Sequence, residues 1–83
     1  MKLKHAHHLG AYRFALTFAD GQVIECDLRE LIGQHIAENE VPTAHVDLAW
    51  GCLEFLNGQV DIAPETLARY VGVLQERMRL DRI

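Results

Sequence analysis

Between Tyr12 and Leu28 the chain alternates apolar and polar positions on either side of a turn signal. Tyr12, Phe14, Leu16 and Phe18 are separated by Arg13, Ala15 and Thr17; beyond Asp20-Gly21, Ile24, Cys26 and Leu28 are separated by Glu25 and Asp27. A period of two marks a strand with one buried face. A two-residue Asp20-Gly21 turn would set Phe18 opposite Val23 and Leu16 opposite Glu25, driving carboxylates into the apolar face. A three-residue Ala19-Asp20-Gly21 loop instead pairs Leu16 with Ile24 and Phe14 with Cys26. It also puts Gly21 at the left-handed third position that a type I turn plus bulge requires. Turn chemistry and alternation therefore select one register, a β-hairpin whose Phe14, Leu16, Ile24 and Cys26 face a core.

The flanking patterns fill in the rest of a small domain. Residues 2–8 predict a first strand that turns at Leu9-Gly10 into the hairpin. Asp27 and Glu30 have capping-box spacing, and Leu28, Leu31, Ile32 and Ile36 share one helical face. Gly33 limits that helix to one or two turns. Glu38 to Thr43, with Pro42, predicts a loop. Ala44–Val46 and Cys52–Leu56 predict two strands around a turn from Asp47 to Gly51, the second ended by Asn57-Gly58. Pro64 suits a first helical position and Glu65 complements a helix N-terminus. Leu67, Tyr70, Val71, Leu74 and Met78 then form a helical stripe, with Val73 and Leu80 widening the apolar surface beside it. The predicted architecture is one α+β domain over residues 1–83. It consists of a small antiparallel sheet of about four to five strands in two hairpins, a short middle helix, and a C-terminal helix packed on the sheet.

Composition narrows the function classes. At 83 residues, 49% of them hydrophobic, the chain folds as a single small domain, and a partner surface is a common source of added stability at this size. A net charge of −4 argues against nucleic-acid binding by the chain itself. The charge is uneven: residues 1–63 hold four basic and nine acidic side chains, residues 64–83 four Arg and three acids. Arg69, Arg77, Arg79 and Arg82 thus predict a local basic strip on the last helix. Lys2-Leu3-Lys4 leads into histidines rather than an apolar leader, and no apolar run has membrane-spanning length. A cytoplasmic setting with Cys26 and Cys52 as free thiols is the expectation.

Candidate chemistry is sparse. The chain has no serine, which removes serine-nucleophile triads, and no glycine-rich phosphate loop. On a strand, His5 and His7 project to one face while His8 points away. That makes His5 and His7 candidate zinc ligands, with His45 or a carboxylate needed to complete the set. A polar edge strand explains the same histidines without a metal. A Cys-His pair drawn from Cys26 or Cys52 with His35 or His45 is disfavoured, because a thiolate on the core face is costly. Asp61 and Glu65 read more simply as helix capping and dipole compensation than as paired acid–base carboxylates. Trp50, outside the hairpin pattern and beside Gly51, is either a plug for the sheet or an interface anchor.

The ordered set of Tyr12, Leu16, Phe18, Asp20-Gly21, Asp27-Leu28, Leu31, Trp50-Gly51, Leu53-Glu54-Phe55, Asn57-Gly58, Asp61 and Pro64-Glu65-Thr66-Leu67 resembles the bacterial family called domain of unknown function 2442. The resemblance covers roughly residues 9–71. Phe55 stands where family members commonly carry Trp, and the segment after Leu31 is shorter than in many of them. The family implies a small α+β fold, an antiparallel sheet with the C-terminal helix packed on it, and has no established catalytic activity; no cofactor is expected from the residues of this chain. Some members lie beside genes for domain of unknown function 4160, which suggests toxin–antitoxin pairs. The expectation is a non-enzymatic interaction module, the antitoxin-like partner of a small toxin-like protein or a homodimer. It would bind through Trp50, Arg69, Arg77, Arg79 and Arg82. The alternative is a small-ligand or metal-binding regulatory domain using His5 and His7.

Overall fold

The computed structural model describes the backbone of residues 2–81 and the side chains of residues 2–73. Three strands, β1 (Leu3–Gly10), β2 (Arg13–Phe18) and β3 (Val23–Asp27), form one antiparallel sheet in sequence order. The hairpin adopts the register that the alternation predicts, with Leu16 opposite Ile24 and Phe14 opposite Cys26. Its loop closes through Gly21 N–H to the Phe18 carbonyl at 2.9 Å and Phe18 N–H to the Gln22 carbonyl at 2.9 Å. Gly21 is left-handed at φ +91, where a Cβ would be strained.

The second half departs from the expected single sheet. β4 (His45–Asp47), β5 (Cys52–Phe55) and β6 (Val60–Ile62) form a second three-stranded antiparallel sheet, so the described residues hold six strands in two sheets rather than four to five in one. β6 is the unforeseen strand: Leu53 pairs with Ile62, Glu54 with Asp61 and Phe55 with Val60. Asp61 is therefore a strand residue rather than a helix cap. The first intrahelical bond of α2 (Pro64–Asp81) runs from Leu67 N–H to the Ala63 carbonyl, which puts Ala63 at the cap position and Pro64 at the first helical one. The segment expected to be a loop is a 3₁₀ helix, Glu38–Thr43, begun by Ala37 N–H donating to Glu40 Oε1 at 2.9 Å.

α1 (Arg29–Ile32) is one short turn. Its cap position falls on Leu28, one residue later than the capping-box spacing predicts, and Asp27 Oδ1 accepts the Arg29 N–H at 2.8 Å. Leu28, Ile32 and Ile36 are buried as their shared face requires. The inner face of the first sheet (Phe14, Leu16, Phe18), the second sheet (Leu53, Phe55, Ile62), Val41 of the 3₁₀ helix, and Leu67 and Val71 of α2 make one core. Phe14 meets Phe55 edge-to-face, with ring centroids 6.2 Å apart, which joins the two sheets. Tyr12 OH donates to the buried Ile36 carbonyl at 2.6 Å, and Tyr70 OH to the Asp27 carbonyl at 2.8 Å, the latter tying α2 to the end of β3. Leu74 and Met78 of the predicted stripe, and Leu80 beside it, lie outside the described side chains.

Candidate surface around the β4–β5 turn

Asp47 to Gly51 connects β4 to β5 and is held from several directions. Asp47 Oδ1 accepts the N–H groups of Ala49 at 2.9 Å and Trp50 at 3.4 Å, and Gly51 N–H donates to the Asp47 carbonyl at 2.6 Å. An aspartate opening a tight turn stabilises it by such side-chain-to-backbone bonds. From the far end of the sequence, Lys2 Nζ donates to the Ala49 carbonyl at 3.0 Å and Leu3 N–H to the Gly51 carbonyl at 3.1 Å. Gly51 is left-handed at φ +72 and passes so close to Lys2 that no Cβ fits between them.

This pinned turn holds two large apolar side chains out in solvent: Leu48 is 76% exposed and Trp50 71%. The choice left open for Trp50 is thereby decided against a core plug. Leu48 has no place in any alternation, and its only sequence signal is its position within the turn. Trp50 borders an open groove of about 400 Å³ lined also by Asp47, Cys52, Asp61, Pro64 and Glu65. A second groove of about 350 Å³ lies between α1 and β6, beside His35 and Asp61.

The other candidates are dispersed. His5 and His7 sit opposite Thr17 and Ala15 on the outer face of the first sheet, both exposed. His8 faces inward, its ring 5.2 Å from that of Phe14 and its Nε2 2.8 Å from the Ala11 carbonyl. His45 belongs to the second sheet and pairs with Glu54 at 2.8 Å. Among the described residues no three His, Cys, Asp or Glu groups converge as a metal site. Arg69 is exposed on α2; the side chains of Arg77 and Arg79 and the whole of Arg82 lie outside what the structure describes.

Both thiols have their pKa raised above the ordinary cysteine value. Burial, reinforced by the adjacent Asp27 carboxylate, pushes Cys26 from 9.0 up to about 11. Cys52 is raised as well, first by burial and then by the carboxylates of Asp61, Asp47, Glu54 and Glu65. The thiolate is the reactive species, so a raised pKa lowers reactivity at neutral pH. A shift of about two units cuts the thiolate fraction roughly a hundredfold below both pKa values. Alkylation of Cys26 by iodoacetamide, followed by mass spectrometry, is expected to be slow at pH 8 in the native chain and to accelerate towards pH 11. In urea it should already be fast near pH 9. A native Cys26 that alkylates at the unfolded rate at pH 8 would contradict the burial of this thiol.

Over residues 3–72 the chain matches the family described as Protein of unknown function (DUF2442), and it belongs to that family. No curated protein and no solved structure matches it. Among the described residues no helix is long and apolar enough to cross a membrane.

Proposed function

We propose that this member of the DUF2442 family is a non-catalytic cytoplasmic protein-interaction module whose contact anchor is the Leu48–Trp50 turn. One observation carries the reading: two large apolar side chains are exposed on a turn that hydrogen bonds from within and from Lys2 and Leu3 tie down. A pre-ordered aromatic anchor loses little conformational entropy on binding, and tryptophan is enriched among residues that dominate binding energy. The partner we infer is a small toxin-like protein encoded beside the gene, with this chain as its antitoxin-like counterpart. The gene neighbourhood of some family members supports that choice. Exposed Arg69 supplies a cation on α2 for the same kind of contact.

Replacing Trp50 with Ala is expected to leave urea stability within about 0.5 kcal/mol of the parent, because an exposed side chain is removed. The same change should weaken binding to the neighbouring gene's product by about 2 kcal/mol or more, roughly thirtyfold. Leu48→Ala should act in the same direction with a smaller effect. Calorimetric titration of the co-purified pair checks both, and loss of protection against the neighbour's toxicity should follow the affinity. Full affinity and full protection in a folded Trp50→Ala, Leu48→Ala double variant would sink the proposal. A homodimer that dissociates in the same variant would replace the hetero-partner by a second copy.

A further inference from the structure

A second candidate surface is the outer edge of β3, on the opposite side of the first sheet from β1; its Asp27 end is taken by Tyr70 OH at 2.8 Å, which leaves the stretch over Val23 and Glu25. Phe18 N–H donates to the Gln22 carbonyl at one end of the β2–β3 ladder, and Leu28 N–H to the Tyr12 carbonyl at the other. Antiparallel ladders alternate, so Ile24 and Cys26 are the residues bonded to β2, and the backbone groups of Val23 and Glu25 point outward. No strand pairs with that edge among the described residues, and β3 ends the sheet. The side chains agree. Val23 is 63% exposed, and on the inner face Ile24 and Cys26 are only partly buried, so a strip of core remains uncovered along this edge.

Charge decides what can add there. Asp20, Glu25 and Asp27 lie on or beside β3, and the cation facing them on β2 is Arg13, 3.8 Å from Glu25. A second copy pairing antiparallel over the whole strand would set Glu25 opposite Glu25, and a step one way would set Glu25 opposite Asp27; the step the other way sets Glu25 opposite Val23 but leaves only Val23–Glu25 of each strand paired with its mate. Like charges directly opposite each other destabilise a pair. We propose that the β3 edge accepts an extended segment of a partner protein as a fourth, antiparallel strand. That segment carries a lysine or arginine opposite Glu25 and small β-branched apolar residues over Ile24 and Cys26. Main-chain bonds supply the affinity in such strand addition and the alternate side chains supply the choice of segment. The inference rests on the interaction-module reading but uses a different surface from the Trp50 turn.

The probe is a capped peptide of alternating lysine and valine, compared with one of equal composition whose lysines are grouped at one end. Hydrogen exchange by NMR on the full chain should show the Val23 and Glu25 amides slowing about tenfold on saturation with the alternating peptide. The grouped peptide and the Glu25→Gln variant should each bind about fivefold more weakly. Val23→Pro removes an outward donor that the ladder does not use, so it should abolish binding while amide protection at Leu16 and Ile24 persists. Unprotected Val23 and Glu25 amides at saturation would overturn the inference. So would protection that grows with protein concentration alone, or binding that survives Val23→Pro. Trp50→Ala should leave peptide binding unchanged. A failed peptide beside an intact neighbour complex therefore rejects the edge and not the module, and the converse rejects the Trp50 anchor.

Discussion

Phe14→Ala is expected to lower the stability of the chain by about 3–5 kcal/mol, the cost of deleting a fully buried aromatic ring from a packed core. Phe14 is fully buried and stands where the halves of the molecule meet. Its ring is edge-to-face with Phe55 at an interplanar angle of 80°, and the His8 ring lies over it at 5.2 Å. Removing it opens a cavity at the junction of the two three-stranded sheets. A domain of this length has roughly 4–12 kcal/mol of total stability. The variant therefore sits near or beyond the point of unfolding. With a urea slope of about 1 kcal/mol/M, the midpoint should fall by about 3 M or more. Phe14→Leu, which refills much of the volume, should lose less than half as much. A Phe14→Ala midpoint within about 0.5 M of the parent would mean that the two sheets are not joined through this residue.

That junction was only half legible beforehand. The hairpin could be read because every determinant is local: period-two alternation, a glycine at the left-handed loop position, and a register in which both agree. Phe14 could be assigned to a core from that pattern, but its partner Phe55 could not, since the contact spans two sheets. β6 escaped because Val60-Asp61-Ile62 is three residues between Gly58 and Pro64, too short for any period to show. Its strand character comes from pairing with β5, which is information held in another segment. The same gap misassigned Asp61 to helix capping. Pro42 predicts a loop over Glu38–Thr43, whereas Glu40 captures the Ala37 N–H and tightens the segment into 3₁₀ turns. At the candidate surface, residue type and position single out Trp50, but whether it plugs the sheet depends on what covers it. The turn is fixed by Lys2 and Leu3, almost fifty positions away, and no local pattern encodes such a tie.

Gly51→Ala tests that tie. At φ +72 an alanine pays a left-handed backbone cost of about 1–2 kcal/mol. Its Cβ would also lie 2.9 Å from Lys2 Cα and closer still to the Lys2 side chain, so the start of β1 must move. Movement there strains the bonds from Leu3 N–H to the Gly51 carbonyl and from Lys2 Nζ to the Ala49 carbonyl. A total loss of about 2–4 kcal/mol is expected. Gly58→Ala is the matched control: its φ is +86, but the nearest group to a new Cβ is Glu54 Oε2 at 3.6 Å, an ordinary contact. Backbone strain is common to both variants, so the difference between their urea midpoints isolates the seam between β1 and the second sheet. A difference equivalent to about 1–2 kcal/mol is expected, and one below about 0.5 kcal/mol would mean that β1 gives way freely. The binding consequence is separable from the stability loss. Gly51→Ala removes no contact atom from Leu48 or Trp50, yet it loosens the turn that presents them. Under the proposed interaction role, a variant still folded at assay temperature should bind the proposed partner more weakly than Gly58→Ala does, because the ordering that the parent turn has already completed must then occur on binding.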